Sequence, residues 1–161
     1  MKRFYEAVVK YDRMGEAGTP EKVTELYVLD SVSITDAEAT LIADLEAFIK
    51  GECDVTSIKL SKYSEFIPEN MFISAVQTAM NTIEVNVDEQ KANSKYFAVK
   101  ISFLVIDEKG KEKKTPYHYI VQATSVEAAN KTVWLFMKDS VADYQINNIV
   151  ETKVIDVILM D

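Results

Sequence analysis

Two stretches of roughly 65 residues carry the same signals in the same order, and an internal repeat of that kind restricts the possible folds more than any single motif does. The first opens with Phe4-Tyr5-Glu6-Ala7-Val8-Val9-Lys10 and the second with Tyr96-Phe97-Ala98-Val99-Lys100-Ile101-Ser102-Phe103. Aromatic and β-branched side chains dominate both runs, and neither contains Gly or Pro, so both read as strands. Turn chemistry follows each: Met14-Gly15-Glu16-Ala17-Gly18-Thr19-Pro20 in the first, Asp107-Glu108-Lys109-Gly110 in the second. Glycine there supplies the positive φ that a hairpin loop needs. A returning strand comes next, Val23 to Ser31 and Thr115 to Ala123, each with a tyrosine ahead of apolar residues (Tyr27-Val28-Leu29 and Tyr119-Ile120-Val121).

After each hairpin the sequence signals a helix. Thr35-Asp36-Ala37-Glu38 and Thr124-Ser125-Val126-Glu127 fit the Thr-x-x-Glu capping box, in which a hydroxyl and a carboxylate satisfy the first amides of a helix. Ala39, Ile42, Leu45, Phe48 and Ile49 then form an apolar stripe ending before Gly51, and Ala129, Val133, Trp134, Phe136 and Met137 form a second one. A last strand closes each half, Val55 to Phe66 and Gln145 to Leu159. The expected fold class is therefore α+β: duplicated β-β-α-β units forming antiparallel sheets with helices packed on one face. The halves join either into one antiparallel sheet or as two sheets packed face to face, and the pattern leaves both open. The whole chain, 1–161, reads as one compact domain of two pseudo-repeats, about 4–67 and 95–159, with an inserted connector at 68–94. Within the connector, Phe72, Ile73, Val76, Ala79 and Met80 suggest a short helix, and Thr82 to Val87 alternates like an edge strand.

Lys22-Val23-Thr24-Glu25, Asp36-Ala37-Glu38-Ala39, Tyr63-Ser64-Glu65-Phe66 and Ala142-Asp143-Tyr144, taken together, resemble family 4494 of the domains of unknown function, found in Bacteroidetes and their phages and mobile elements. The resemblance runs from Phe4 to Phe66 and from Tyr96 to Val157, and departs from the family at Pro68 to Ser94, which looks like an insertion. It implies a phage or mobile-element setting and supplies neither an activity nor catalytic residues.

Composition narrows the chemistry. With 48% apolar and 27% charged residues the chain is of ordinary globular type. No apolar run approaches the roughly 20 residues that span a bilayer, and Met1 to Glu6 has no apolar signal region, so a cytoplasmic protein of a bacterial host cell, with no membrane partner, is expected. Its four glycines form no phosphate-binding loop, and there is no HExxH or CxxC pair. The single cysteine, Cys53, lies between Glu52 and Asp54, where like charge disfavours a thiolate. The single histidine, His118, lies on the strand face opposite Tyr117 and Tyr119 and has no evident titrating partner. The expectation is a protein that is not an enzyme, with no catalytic residue, metal site or cofactor.

Binding is the remaining class. A single nucleic-acid strand is held by a cationic groove combined with aromatic faces on which bases stack. Lys10 beside Tyr11, Lys59 and Lys62 beside Tyr63, Lys100, and Lys113 and Lys114 beside Tyr117 interleave the two on predicted strands. Those nine residues are the candidate nucleic-acid site. Against it stands the charge, 26 acidic residues to 18 basic for a net −8, which opposes general phosphate coating unless it is unevenly spread. Two alternatives are a protein-interaction or assembly module, pairing with itself as a homodimer or with another protein, and a protein that sequesters a nucleotide signal.

Overall fold

The computed structural model describes residues 3–49, 51–69 and 94–160. In chain order the elements are β1 (Arg3–Met14), β2 (Pro20–Ser31), α1 (Ile34–Glu46), β3 (Cys53–Leu60), β4 (Tyr63–Ile67), β5 (Lys95–Ile106), β6 (Glu112–Ala123), α2 (Val126–Phe136), β7 (Tyr144–Glu151) and β8 (Val154–Ile158). The class is α+β, with two four-stranded sheets, ordered β3-β1-β2-β8 and β4-β6-β5-β7. The chain divides into two compact units, Met1–Lys62 with Lys153–Asp161, and Tyr63–Thr152. The connector expected at 68–94, with its short helix and edge strand, lies outside the described residues apart from its ends.

In the first unit, β1 and β2 pair antiparallel from Arg3↔Ser31 to Met14↔Pro20 without a break. The five-residue loop between them closes through Gly15 N donating to Thr19 O (2.9 Å) and Gly18 N to Gly15 O (3.0 Å), with Gly18 at φ +76°. Ser33, in extended conformation, caps α1 by accepting from the Asp36 amide at 3.1 Å. The helix lays Ala37, Leu41 and Leu45 on the sheet, where Ala7, Val9, Tyr27 and Leu29 complete a core.

The second unit repeats this plan. β5 and β6 pair from Lys95↔Ala123 to Ile106↔Glu112, and the loop closes through Asp107 N to Lys111 O and Gly110 N to Asp107 O, with Gly110 at φ +77°. Ser125 caps α2 by accepting from Ala128 N at 3.1 Å. Ala128, Ala129 and Val133 pack on Phe97, Val99, Ile101, Tyr119 and Val121. Even the irregularities coincide: β1 shifts register against β3 between Val8 and Val9, and β5 shifts against β7 between Lys100 and Ile101.

Three expectations are corrected. The last strand of each half is two strands. The ladder to β1 ends where Ser61 N donates to Phe4 O (2.8 Å), near the start of β1, and the ladder to β5 ends where Thr152 N donates to Tyr96 O (2.8 Å). A strand that has run past the end of its neighbour has nothing left to pair with, so the polar steps Ser61-Lys62 and Thr152-Lys153 break it. The short strands that follow, β4 and β8, run parallel to β6 and β2, so neither sheet is wholly antiparallel. Finally, the caps are serines, not the threonines of the predicted boxes, and the helix stripes are rotated accordingly: Ile42, Phe48 and Trp134 are exposed, while Leu41 is fully buried.

Candidate functional site

In the first unit the hairpin arms outrun the helix. β1 continues to Met14, whereas α1 stops at Glu46 and the Leu45 carbonyl near its end accepts from Phe48 N and Ile49 N (3.0 and 2.8 Å). The sheet surface beyond the helix end is therefore open, and a cleft of about 930 Å³ forms there. Tyr11, Glu25 and Tyr27 line its floor, Leu45, Phe48 and Ile49 come from the helix end, and Ile155, Asp156 and Ile158 come from β8. Asp12, Arg13, Met14, Pro20 and Asp44 complete it. The volume is that of a site for a small organic molecule.

The strand period explains the floor. Val23, Glu25, Tyr27 and Leu29 alternate toward the helix side, so Glu25 stands on a face that is otherwise apolar or aromatic. Its carboxylate is held there by two phenols: Tyr11 donates to Oε1 and Tyr27 to Oε2, the latter at 3.1 Å. The Tyr11 phenol is pushed up by that hydrogen bond first and by burial second. The Tyr27 phenol is pushed up further, chiefly by burial and then by the Glu25 charge. Cys53, opposite Tyr11 in the β1–β3 register, is also raised, by burial and by Asp54 and Glu25, which keeps it a thiol rather than a nucleophilic thiolate. Three large apolar side chains stand exposed at the cleft: Phe48 at 82%, Met14 at 70% and Ile155 at 52%.

The corresponding positions of the second unit carry aromatic rings. Counting along the paired strands and from the two serine caps, Phe103, Tyr117 and Phe136 stand where Tyr11, Glu25 and Asp44 stand in the first. There the rings pack on one another. Phe103 meets Tyr117 edge-on at 5.2 Å between centroids, and Tyr119, the counterpart of Tyr27, meets Phe136 at 5.9 Å. The framework thus accepts aromatic packing at these positions, and the first unit has polar groups there instead.

The nine residues expected to contact nucleic acid are divided between the units. In the first, Lys10 and Lys59 share the sheet face away from α1, where Lys59 Nζ lies 3.8 Å from a Glu6 carboxylate oxygen and Lys10 stands opposite Asp54. Tyr11 is on the other face, bonded to Glu25, and Lys62 follows the end of β3. In the second, Tyr63 and Lys100 flank His118 in one row across the sheet, with Lys114 on the same face, but Tyr63 is buried. Lys113 and Tyr117 alternate onto the helix side. His118 does lie opposite Tyr117 and Tyr119, as the strand period requires.

Sequence reading missed Glu25, Asp44 and Asp156 as site residues. One signal was present: aligned by strand order, the halves place Glu25 against Tyr117, a charge where the repeat has an aromatic ring. Among the described residues no group of three or more His, Cys, Asp or Glu is arranged to hold a metal ion. The profile of one family, a domain of unknown function (DUF4494), matches residues 3–160. No match to a curated protein is found.

Proposed function

This chain belongs to the domain-of-unknown-function family DUF4494, which carries no activity with it, and we propose that it acts without catalysis, as a binding protein whose ligand site is the cleft of the first unit. The observation that supports this is the contrast between the two units: one framework, with aromatic packing at the three positions in one copy and polar groups beside an open cavity in the other. A cavity the fold does not require is the natural place to look for function. The thiol form of Cys53 beside the floor fits binding better than nucleophilic chemistry.

The test fills the cleft with the second unit's own residues. The variant Tyr11→Phe, Glu25→Tyr, Asp44→Phe copies a packing that the framework already holds, so a native circular dichroism spectrum is expected. Small molecules that perturb the amide spectrum of the unaltered protein should lose that effect in the variant. Ligands that bind both proteins alike would place the site elsewhere.

Single-stranded nucleic acid has less support: its nine candidate residues divide between units and faces, one is buried, and Lys59 lies beside Glu6. A phage or mobile-element setting in a bacterial cytoplasm, drawn from the family resemblance, belongs to the proposal, as does an origin of the two units by internal duplication. The matching registers and loop bonds support the latter.

A further inference from the structure

The charge around the cleft says what kind of molecule it suits. Among the described residues that line it, three acids, Glu25, Asp44 and Asp156, stand against one guanidinium, Arg13, while the side chain of Asp12 alternates to the other sheet face. Arg13 is engaged by a carboxylate that does not line the cleft, its Nε lying 3.7 Å from Glu21 Oε2. Glu25, on the floor, has phenols for partners; these orient the carboxylate without cancelling its charge. The Glu25 charge lies close enough to help raise both tyrosines and Cys53, while Arg13 acts in the opposite sense on Tyr11. A phosphate or carboxylate ligand would be repelled, while a cation would gain most near the floor, where water is partly excluded.

The remaining surface is apolar and aromatic. Phe48, Met14 and Ile155 stand exposed at its edge, and an exposed apolar group beside a cavity gains by covering. Tyr11, Tyr27 and Phe48 bring three rings to one cavity, and ring faces attract ammonium and guanidinium groups.

We infer that the cleft binds a small organic cation, an ammonium or guanidinium group carried on an apolar or aromatic body, with the charge beside Glu25 and Asp44 and the body against Phe48 and Ile155. This rests on the cleft being the ligand site, as proposed above, and adds the ligand's charge and shape to that reading.

Three indoles separate the two claims, since they share a ring and differ in charge: tryptamine is a cation, tryptophol neutral and indoleacetate an anion at neutral pH. Each is titrated into the full chain by calorimetry at low salt. Tryptamine is expected to bind about tenfold more tightly than tryptophol, the size of effect one partly screened ion pair gives, and indoleacetate more weakly than either. In the variant Glu25→Gln, Asp44→Asn, checked for a native spectrum, the gap between tryptamine and tryptophol should shrink to about twofold, with tryptophol little changed. Equal binding of tryptamine and tryptophol overturns the cation inference and leaves the cleft as a site. So does failure of all three indoles while other molecules still bind the cleft. If no molecule distinguishes the unaltered protein from the filled variant, the cleft reading itself falls, and the inference with it.

Discussion

Glu25 shows how much one side chain changes when its neighbours are phenols. Because Tyr27 is harder to ionise in the folded chain than in the unfolded one, where its ordinary value is 10.0, the folded state holds on to more protons above that pH. Stability is then level below about pH 10 and falls as the pH rises beyond it. Tyr11 and Tyr119 are shifted in the same direction. Denaturant unfolding followed from neutral to strongly alkaline pH should show this decline, and Tyr27→Phe should flatten it in part; an unchanged slope would contradict the burial of that phenol. Ser31 offers a second residue-scale prediction. Its hydroxyl is buried and has no hydrogen-bond partner among the described residues, at the position where the other unit has Ala123. Removing an unsatisfied hydroxyl is neutral or favourable, so Ser31→Ala should leave the melting temperature unchanged or raise it by about a few degrees. A clear drop would mean that the hydroxyl has a partner. Ser31 was not legible in the sequence, and Glu25 only as a charge set against Tyr117 of the other half, because each draws its meaning from what stands beside it in space. Glu25 in an alternating strand looks like any outward-facing acid until Tyr11 is paired across from Val23.

At the scale of elements much more could be read. Both hairpins, both helices and their order follow from turn residues and from periodicity of two or of 3.6, which are local properties. The Gly18 and Gly110 turns were marked correctly, and the positive φ at Gly110, with open space where a Cβ would project, gives a clean test. Gly110→Ala meets no neighbour, so its cost is that of the left-handed backbone alone, about 1–2 kcal/mol by chemical denaturation. A cost near zero would mean that the loop can take another conformation. The helix caps were misplaced by one or two residues because Ser33-x-x-Asp36 and Thr35-x-x-Glu38 overlap, and only backbone geometry selects the serine. Ser33→Ala should cost about 1 kcal/mol, and Thr35→Ala much less, if the serine is the cap. The breaks after β3 and β7 went unread for another reason. The polar pairs Ser61-Lys62 and Thr152-Lys153 interrupt strand-like sequence by only two residues, and what makes each of them a break is that the neighbouring strand ends there.

For the whole molecule, sequence pattern proposes strands but does not assign them to sheets. β4 and β8 have five residues each, too short for their own composition to choose a neighbour, and each joins the sheet of the other half of the chain. The first unit therefore depends on residues far away in sequence. Ile158 pairs with Leu29 and packs on the core formed by Leu41 and Leu45. Deleting Lys153–Asp161 removes a whole strand from that sheet, so the first unit should become sensitive to limited proteolysis and lose cooperative melting. A first unit as resistant as before would show that β8 is dispensable.

The same connectivity has a consequence in time. A ribosome makes β1, β2, α1 and β3 before the whole second unit, yet the strand that completes their sheet is made only after it. The second unit, whose strands all precede Lys153, can be finished while translation is still under way. β1, β2, α1 and β3 must therefore wait through the synthesis of the second unit for their final edge, and the cleft, walled in part by β8, exists only once that edge has been made.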